Sequence, residues 1–489
     1  MTGVMNMADT FGSDLRSSHP FNLALPLQDA PDLVATLATE GKTADATSAV
    51  KLNNGNIQCD TCHDAHMQSR DIVSPNFLVM DSSRGQLCFA CHDPNRITTG
   101  QNNPLGGWST SIHAIAGNTV GSTPSVGPYP DVATNSCSSC HQVHNAPGAQ
   151  RLLRGVNEQD CSNCHNGGNN VAPQLLNVYG EFNKIGHPFP STKNAHDPSE
   201  SNVLNNNRHA TCADCHNSHA AKQTATFTIP PGIRPSQTAV LGVSSTDGIT
   251  AVSPAVNGYE NCLRCHGTSA GKAVNPIYGY LPARVVFSGD LLNVIPQFAL
   301  TSTSSHPVLH PRTSALPQPS LRTNMLQLDG IAPGRAMGTQ NLCIDCHNSD
   351  DNREFGGAGP NGPHGSRWTH ILERRYEISS ASAPGALIGN LFPTPDLSVS
   401  GPYAMCAKCH DLNSVVSNTS FTEHARHIND GFSCSICHTS HGMGGISASI
   451  TGERLVNFDA NVVGMNGTNP ISYNHATNTC SLVCHQHTH

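Results

Sequence analysis

Residues 137–144 read Cys-Ser-Ser-Cys-His-Gln-Val-His, and this octet contains both features that decide the fold of the chain. Its first five residues form a C-x-x-C-H motif, and a second histidine follows three residues after the first. The motif occurs nine times in the 489 residues, and a tenth copy is widened by one residue to C-x-x-x-C-H. Chance would supply about 0.05 copies at this composition, so the pattern is a specific signal.

We number the motifs 1 to 10 along the chain, and all 20 cysteines fall within them. In order, their cysteines and adjacent histidines are Cys59/Cys62/His63, Cys88/Cys91/His92, Cys137/Cys140/His141, Cys161/Cys164/His165, Cys212/Cys215/His216, Cys262/Cys265/His266, Cys343/Cys346/His347, Cys406/Cys409/His410, Cys434/Cys437/His438 and Cys480/Cys484/His485.

The spacing of the motif suits covalent attachment of c-type haem. On one helical turn the residues i, i+3 and i+4 share a face, so two thiols can bond to the porphyrin edge while the imidazole binds the iron. Zinc ribbons, redox dithiols and disulfides also use paired cysteines, but none needs a histidine after every second cysteine. We therefore predict ten c-type haems, with the 20 cysteines as attachment points and the ten motif histidines as proximal iron ligands.

The composition fits a chain whose core is filled by cofactors. Aromatic residues make up 5% and charged residues 12% of the chain, against about 25% charged in ordinary globular proteins. With 26 basic and 34 acidic residues there is no basic surplus for nucleic acid. We expect mostly irregular coil with short helices at the motifs and few strands, built around a continuous chain of haems.

The motifs repeat in pairs, which divides the sequence into five units. Each unit has an upstream histidine, a first motif followed three residues later by a histidine (the +3 histidine), and a second motif. The predicted units are 1–100, 101–180, 181–285, 286–420 and 421–489, as sequence repeats rather than separately stable domains.

Ten of the 28 histidines are proximal ligands, so 18 remain as candidates for the sixth position on each iron. The +3 imidazole cannot easily reach the haem of its own motif and should bind a neighbouring haem. In unit four His364 takes the +3 role with His370 as competitor, and in unit five we expect His427 before His424, with His209 in reserve. The predicted distal ligands are His19, His66, His113, His144, His187, His219, His306, His364, His427 and His441.

Several stretches resemble the doubled-CxxCH multihaem c-type cytochromes of bacteria. They are 137–144 with Arg-Leu-Leu-Arg at 151–154, 208–219, 434–441, and 454–459 followed by motif 10. The resemblance implies extracytoplasmic electron transfer, often to extracellular acceptors such as metal oxides. Some similar cytochromes polymerise into conductive surface filaments.

We therefore expect conduction of electrons along stacked bis-histidine haems, outside the cytoplasm, as an extracellular protein or a filament subunit. The alternative is a periplasmic or porin-embedded conduit. A multihaem reductase of a small nitrogen or sulfur substrate needs an open iron, and the surplus of imidazoles disfavours it, so we predict no catalytic residues.

The expected partners are redox proteins, extracellular acceptors and further copies of the chain, without nucleic acid or a membrane span. Residues 1–20 lack a basic region followed by an apolar core, so we expect the signal peptide to be absent from the given chain.

Overall fold

The chain is mostly irregular, with short helices and a few two-residue or three-residue strands, as the sequence predicts. The computed structural model describes residues 15–22, 33, 49–95 apart from 67 and 75, 106–115, 128–167 apart from 149 and 157, 176–187, 210–223, 228–268, 281–287, 293–312, 319–326, 334–378, 401–429 apart from 420, and 432–488 apart from 446, 485 and 486.

Most of the helices are a single turn. The α-helices in the described residues are α1 Cys59–Cys62, α2 Gln86–Phe89, α3 Ile112–Ile115, α4 Val132–Asn135, α5 Gln159–His165, α6 Val178–Glu181, α7 Cys212–Cys215, α8 Gly258–His266, α9 Ile295–Phe298, α10 Ala404–Ala407, α11 Leu412–Val416, α12 His424–Asn429 and α13 Cys434–Cys437. The 3-10 turns are Leu15–Ser17, Gln68–Arg70, Ser83–Gly85, Trp108–Thr110, Ser136–Ser139, Gln150–Leu152, Pro235–Gln237, Cys343–Asp345, Arg353–Phe355, Thr369–Ile371 and Glu453–Leu455.

Motifs 1 to 9 contain a helical turn, and motif 5 shows how the sequence forms it. The carboxylate of Asp214 accepts the backbone N–H of Thr211 at 2.8 Å, which caps the start of α7. The backbone N–H of His216 donates to the carbonyl of Cys212 at 2.9 Å, and the chain then becomes extended at His216. The cap and this exit together place both thiols and the imidazole on one side of the turn.

The strands form four separate antiparallel pairs in the described residues. They are β1 Ile185–Gly186 with β4 Gly365–Ser366, β2 Gly242–Val243 with β3 Ala251–Val252, β5 Ser472–Asn474 with β6 Thr479–Ser481, and β7 Val483–Cys484 with β8 His487–Thr488. The β1–β4 pair joins unit three to the insertion of unit four. A Cβ atom on Gly365 would lie 1.9 Å from the carbonyl oxygen of Glu181, so this approach requires glycine.

Motif 10 differs from the others because it lies on strands rather than on a helical turn. Cys480 belongs to β6 and Cys484 to β7. The additional residue separates the cysteines by four positions, and in an extended chain side chains an even number of residues apart point to the same side. The widened motif therefore keeps both thiols on one side without a helix.

The buried side chains surround one continuous cavity of about 2800 Å³, which cysteines of motifs 3 to 10 line. A pocket for one small ligand has about 300–1,000 Å³, so this space accommodates several large cofactors. Apolar side chains form small clusters around it, the largest at the C-terminal end with Ile436, Phe458 and Val462. No helix in the described part of the chain is long and apolar enough to span a bilayer. The five unit boundaries stay a prediction.

Candidate haem-binding sites

Imidazole rings face each other in pairs throughout the described chain. Each pair joins a proximal histidine to a second histidine, with centroids 5.9–6.4 Å apart. The pairs are His63–His144, His92–His19, His141–His219, His165–His113, His216–His364, His266–His187, His347–His441 and His438–His424.

This separation fits an iron atom between the rings. Metal–imidazole bonds of about 2 Å, with about 1 Å from each nitrogen to its ring centre, give a centroid separation of roughly 6 Å. Direct ring stacking would allow closer approach, and unrelated histidines would show no common distance. The residues therefore fit bis-histidine haem at these eight sites.

Motif 8 has a neighbouring imidazole in His306. Burial lowers the pKa of His410 to about 4, and the charge of His306 is the next largest cause. The proximal histidine of motif 10, His485, and the reserve candidate His209 lie outside the described residues.

The pairs follow a rule that connects the units. The +3 histidine of each later unit faces the first proximal histidine of the preceding unit, as in His144 with His63 and His219 with His141. The upstream histidine faces the second proximal histidine of its own unit, as in His113 with His165. A +3 imidazole thus lies opposite the first proximal histidine of the preceding unit.

Hydrogen bonds hold these two classes of histidine side by side. The Nδ1 atom of His113 lies 2.9 Å from the carbonyl oxygen of Ser218, the residue before a +3 histidine. His187 makes the corresponding contact with Pro363 at 3.1 Å, and His306 with Ser440 at 2.6 Å. In unit one the backbone N–H of His19 donates to Val143 at 2.7 Å. Each unit is therefore attached to the next one through these histidines.

The eight pairs leave out His427 and His66, which we predicted as distal ligands. His424 faces His438, with the ring centroids 6.3 Å apart. The rule above pairs the upstream histidine of unit five with His485, which lies outside the described residues, so His427 as a distal ligand stays a prediction. The Nδ1 atom of His427 lies 2.8 Å from the carbonyl of Glu423, and its ring packs edge-on against Phe432. Both histidines lie on α12, and it is the first turn of that helix that reaches motif 9.

The second of these predicted ligands is His66, whose side chain is 94% exposed. Its Nδ1 atom lies 3.3 Å from the carboxylate of Asp64, and its backbone N–H donates to the same oxygen at 2.9 Å. The described residues place no second imidazole opposite it. His219 makes the same backbone bond to the side chain of Asn217 and does face a proximal histidine, so His66 has the local geometry of a distal ligand.

The sequence did not identify the groups that orient the proximal imidazoles. In the first motif of each unit the Nδ1 atom lies within 2.7–2.9 Å of a backbone carbonyl further along the chain, which leaves Nε2 for the iron. The acceptors are Asn76, Arg151, Ser236, His370 and Arg454. The repeated Arg-Leu at 151–152 and 454–455 was the available signal, because these residues adopt positive φ and turn the carbonyl toward the histidine. His370 has this role and does not replace His364.

Burial favours the neutral, metal-binding form of the imidazoles. It lowers the pKa of His364 and of His441 to about 3, and that of His165 to about 4. These side chains therefore carry an available lone pair at neutral pH, as binding of an iron requires.

The cysteine thiols form an ordered series from motif 1 to motif 10. Between units, the first cysteines of adjacent motifs are within hydrogen-bonding reach: Cys88 with Cys137, Cys161 with Cys212, Cys262 with Cys343, and Cys406 with Cys434. Within units, the second cysteine of the first motif lies near the cysteines of the second: Cys62 with Cys91, Cys140 with Cys161, Cys215 with Cys262, Cys346 with Cys409, and Cys437 with Cys484. Each attachment point is thus next to its neighbours in chain order.

Cysteine pairs, adjacent imidazoles and a shared buried cavity define a chain that binds c-type haem for electron transfer. Residues 52–97 match the family model of the doubled CXXCH motif, which covers motifs 1 and 2 and supports a multihaem c-type cytochrome. No curated protein matches the chain, and no solved structure matches it.

Proposed function

We propose that the protein is a decahaem cytochrome that conducts electrons along closely spaced bis-histidine haems outside the cytoplasm, with an extracellular acceptor. The observation that carries the proposal is the ordered series of thiols combined with the imidazole pairs. Each haem supplies an iron that takes up and releases one electron. The proposal extends the same arrangement to motif 10 and to His485.

The residues of the chain keep each site suited to transfer rather than to catalysis. The two cysteines of each motif would hold a haem by two thioether bonds, beside the thiols of the following motif. Two neutral imidazoles per iron would leave no position for a substrate and would keep the geometry of the iron the same in both oxidation states. The carbonyls opposite Nδ1 hold the proximal ring of the first motif of each unit in place and increase its basicity, which favours low potentials.

Mass and spectroscopy test this proposal. The intact mass should exceed the polypeptide mass by ten haems, and the ferric protein should give low-spin signals and bind no cyanide. Nine haems would remove motif 10 from the proposal. A high-spin ferric signal with cyanide binding at one haem in the native protein would favour the alternative, a reductase with an open iron.

A filament of many copies is a more specific form of this function, and the exposed side chain of His66 favours it. Four +3 histidines each face the proximal histidine of a preceding unit, whereas the described residues place no proximal histidine opposite the exposed ring of His66. Its exposed ring would reach the C-terminal unit of a second copy. Such a bond would connect the haem series of two copies head to tail.

The position opposite His438 is where the two copies would meet. Within one copy His424 occupies the place that the rule gives to the +3 histidine of a following unit. We propose that His66 of the next copy takes the position opposite His438 and displaces His424. The displaced His424 stays on α12, beside His427. In an isolated copy, His424 occupies the position opposite His438 instead.

Electron microscopy with matched variants tests the filament. Native protein should form filaments with a haem at each subunit boundary, and His66→Ala should give discrete particles with a full complement of haems. His310→Ala, at a histidine outside both ligand classes, should leave the filaments unchanged. Discrete particles of native protein, or filaments that persist in His66→Ala, would overturn the filament and leave the conduit in place.

The alternative conduit would lie in the periplasm or inside a porin. Protease added to intact cells distinguishes the extracellular protein from the periplasmic one, since an extracellular protein is digested and a periplasmic one is protected.

A further inference from the structure

A buried lysine lies inside motif 8, where motifs 7 and 8 meet. Lys408, between the two cysteines of motif 8, is 0% exposed. Its Nζ atom lies 2.9 Å from a carboxylate oxygen of Glu373 and 2.5 Å from the carbonyl of Asp345, and it sits 3.8 Å above the ring of Phe355. A cation removed from water in this way needs compensating partners, so its position is specified by the surrounding chain.

The charges around Lys408 do not balance. Glu373 also pairs with Arg374, and Asp345, between the cysteines of motif 7, pairs with Arg335. This set, which we call the Lys408 cluster, has three cations and two carboxylates. Lys408 and Asp345 act on the thiols of both Cys346 and Cys409, so the cluster lies at the attachment points of two successive motifs.

The junction of motifs 3 and 4 has the opposite character. Asp160 precedes the first cysteine of motif 4, and its charge acts on the thiol of Cys140 in motif 3. One of its carboxylate oxygens is buried without a hydrogen-bond partner, while the other accepts the N–H of Gly155 at 3.0 Å. Glu158 is also buried, and Arg154 is the cation that acts on Asp160. The junction of motifs 5 and 6 is more nearly balanced, with Asp214 and Arg264 3.8 Å apart.

We infer that Lys408 raises the reduction potentials of the haems at motifs 7 and 8, that Asp160 lowers those at motifs 3 and 4, and that electrons in the chain therefore collect toward the C-terminal half. The inference rests on the proposed function, because it requires haem at these motifs. Lys408 and Asp160 are positioning residues that act through the field they impose on the irons.

The physical basis is the charge that changes when a haem is reduced. The ferric core carries one more positive charge than the ferrous core, so a buried cation nearby disfavours the ferric state and a buried carboxylate favours it. Charges act strongly across the weakly polar interior of a protein, and salt screens them much less there than at the surface. Net charge and burial are among the factors that set haem potentials.

Spectroelectrochemical titration of the full chain tests the inference. Lys408→Met should shift the part of the titration that belongs to two haems to lower potential, and Lys408→Arg, which keeps the charge, should leave the curve near that of the parent. Glu373→Gln removes a carboxylate from the same cluster and should shift those haems to higher potential, which tests the inference even if Lys408→Met does not mature. Asp160→Asn should shift a different part of the titration upward.

Surface variants provide the controls. Lys51→Met and Asp247→Asn remove exposed charges and should leave the titration unchanged. Shifts of equal size in these controls, no shift in Lys408→Met or Asp160→Asn, or a downward shift in Glu373→Gln would overturn the inference. The intact mass of each variant reports haem content separately, so a failure of haem binding is not mistaken for a failure of tuning.

Discussion

The site of motif 5 and the site of motif 9 obtain their second imidazole in different ways. The ring opposite His216 is His364, which arrives from the following unit across the β1–β4 pair. The ring opposite His438 is His424, which comes from the same unit on α12. The interior site thus connects two units, and the terminal site is completed locally.

This difference indicates what stabilises the molecule. In the interior, each histidine that lies opposite a proximal histidine of another unit is also a tertiary contact. Such contacts matter there, because regular structure is too sparse to hold the units together. At the C-terminal end, an apolar cluster with Ile450, Val462 and Leu482 packs around the thiol of Cys484. We therefore expect the interior to depend on haem for its fold and the C-terminal end to depend on it less.

The largest expected effect is the loss of one interior haem. Cys212→Ala with Cys215→Ala removes the attachment point of the proposed haem at motif 5, and the cost should exceed about 4 kcal/mol, as for other losses of a metal centre. Cys480→Ala with Cys484→Ala should lose one haem at a clearly smaller cost, because the apolar cluster remains. Intact mass and chemical denaturation measure both quantities. Equal destabilisation by the two double variants would contradict the comparison.

A smaller effect is expected from the backbone contact that brings His364 into place. Gly365→Ala puts a methyl group against the carbonyl of Glu181, and the resulting displacement of β4 should cost about 1–3 kcal/mol. Gly464→Ala, in the C-terminal unit, meets nothing within 4 Å and should change the free energy of unfolding by less than about 0.5 kcal/mol. Thermal unfolding of the two variants checks the difference, and a neutral Gly365→Ala would show that the β1–β4 pair does not position the ligand.

The same contrast explains how far the sequence predicts the structure. The class of fold and the attachment residues follow from spacing, because C-x-x-C-H sets local geometry. The +3 spacing also indicates histidines that lie opposite a proximal histidine of another unit, as the displaced His364 does with His216. The position of His424 opposite His438 does not follow, since His424 and His427 both lie on α12 and tertiary packing decides which of them reaches motif 9. The orienting carbonyls are backbone groups, and residue type reports them only indirectly through the Arg-Leu repeat.

Ligand loss at the interior site should change one iron with less effect on stability. His364→Ala removes the imidazole opposite His216, so we expect one high-spin haem that binds cyanide, while the two thioether bonds retain the cofactor. His370→Ala is a matched control in the same insertion, because its contribution to His347 is the backbone carbonyl, which alanine keeps. The iron bound by His347 should remain low-spin in this variant. A high-spin signal in His370→Ala and not in His364→Ala would reverse the assignment.

The smallest effect concerns pH and the dryness of the interior. Burial raises the pKa of Asp160 to about 6, above the value of about 3.9 for an unperturbed carboxyl. The folded state therefore favours the protonated form, so the contribution of Asp160 to stability is full below about pH 4 and is lost as the pH rises through 6. Because the side chain is partly exposed, Asp160→Asn should be more stable than the parent by only about 1 kcal/mol at pH 7, with the difference vanishing near pH 4.

Denaturation at the two pH values measures this difference in stability. Asp247→Asn should show the opposite trend, because hydrogen bonds from Thr250 and Ile249 lower the pKa of the exposed Asp247 to about 2. A stability difference for Asp160→Asn that is the same at both pH values would mean that water reaches this junction as freely as it reaches the surface.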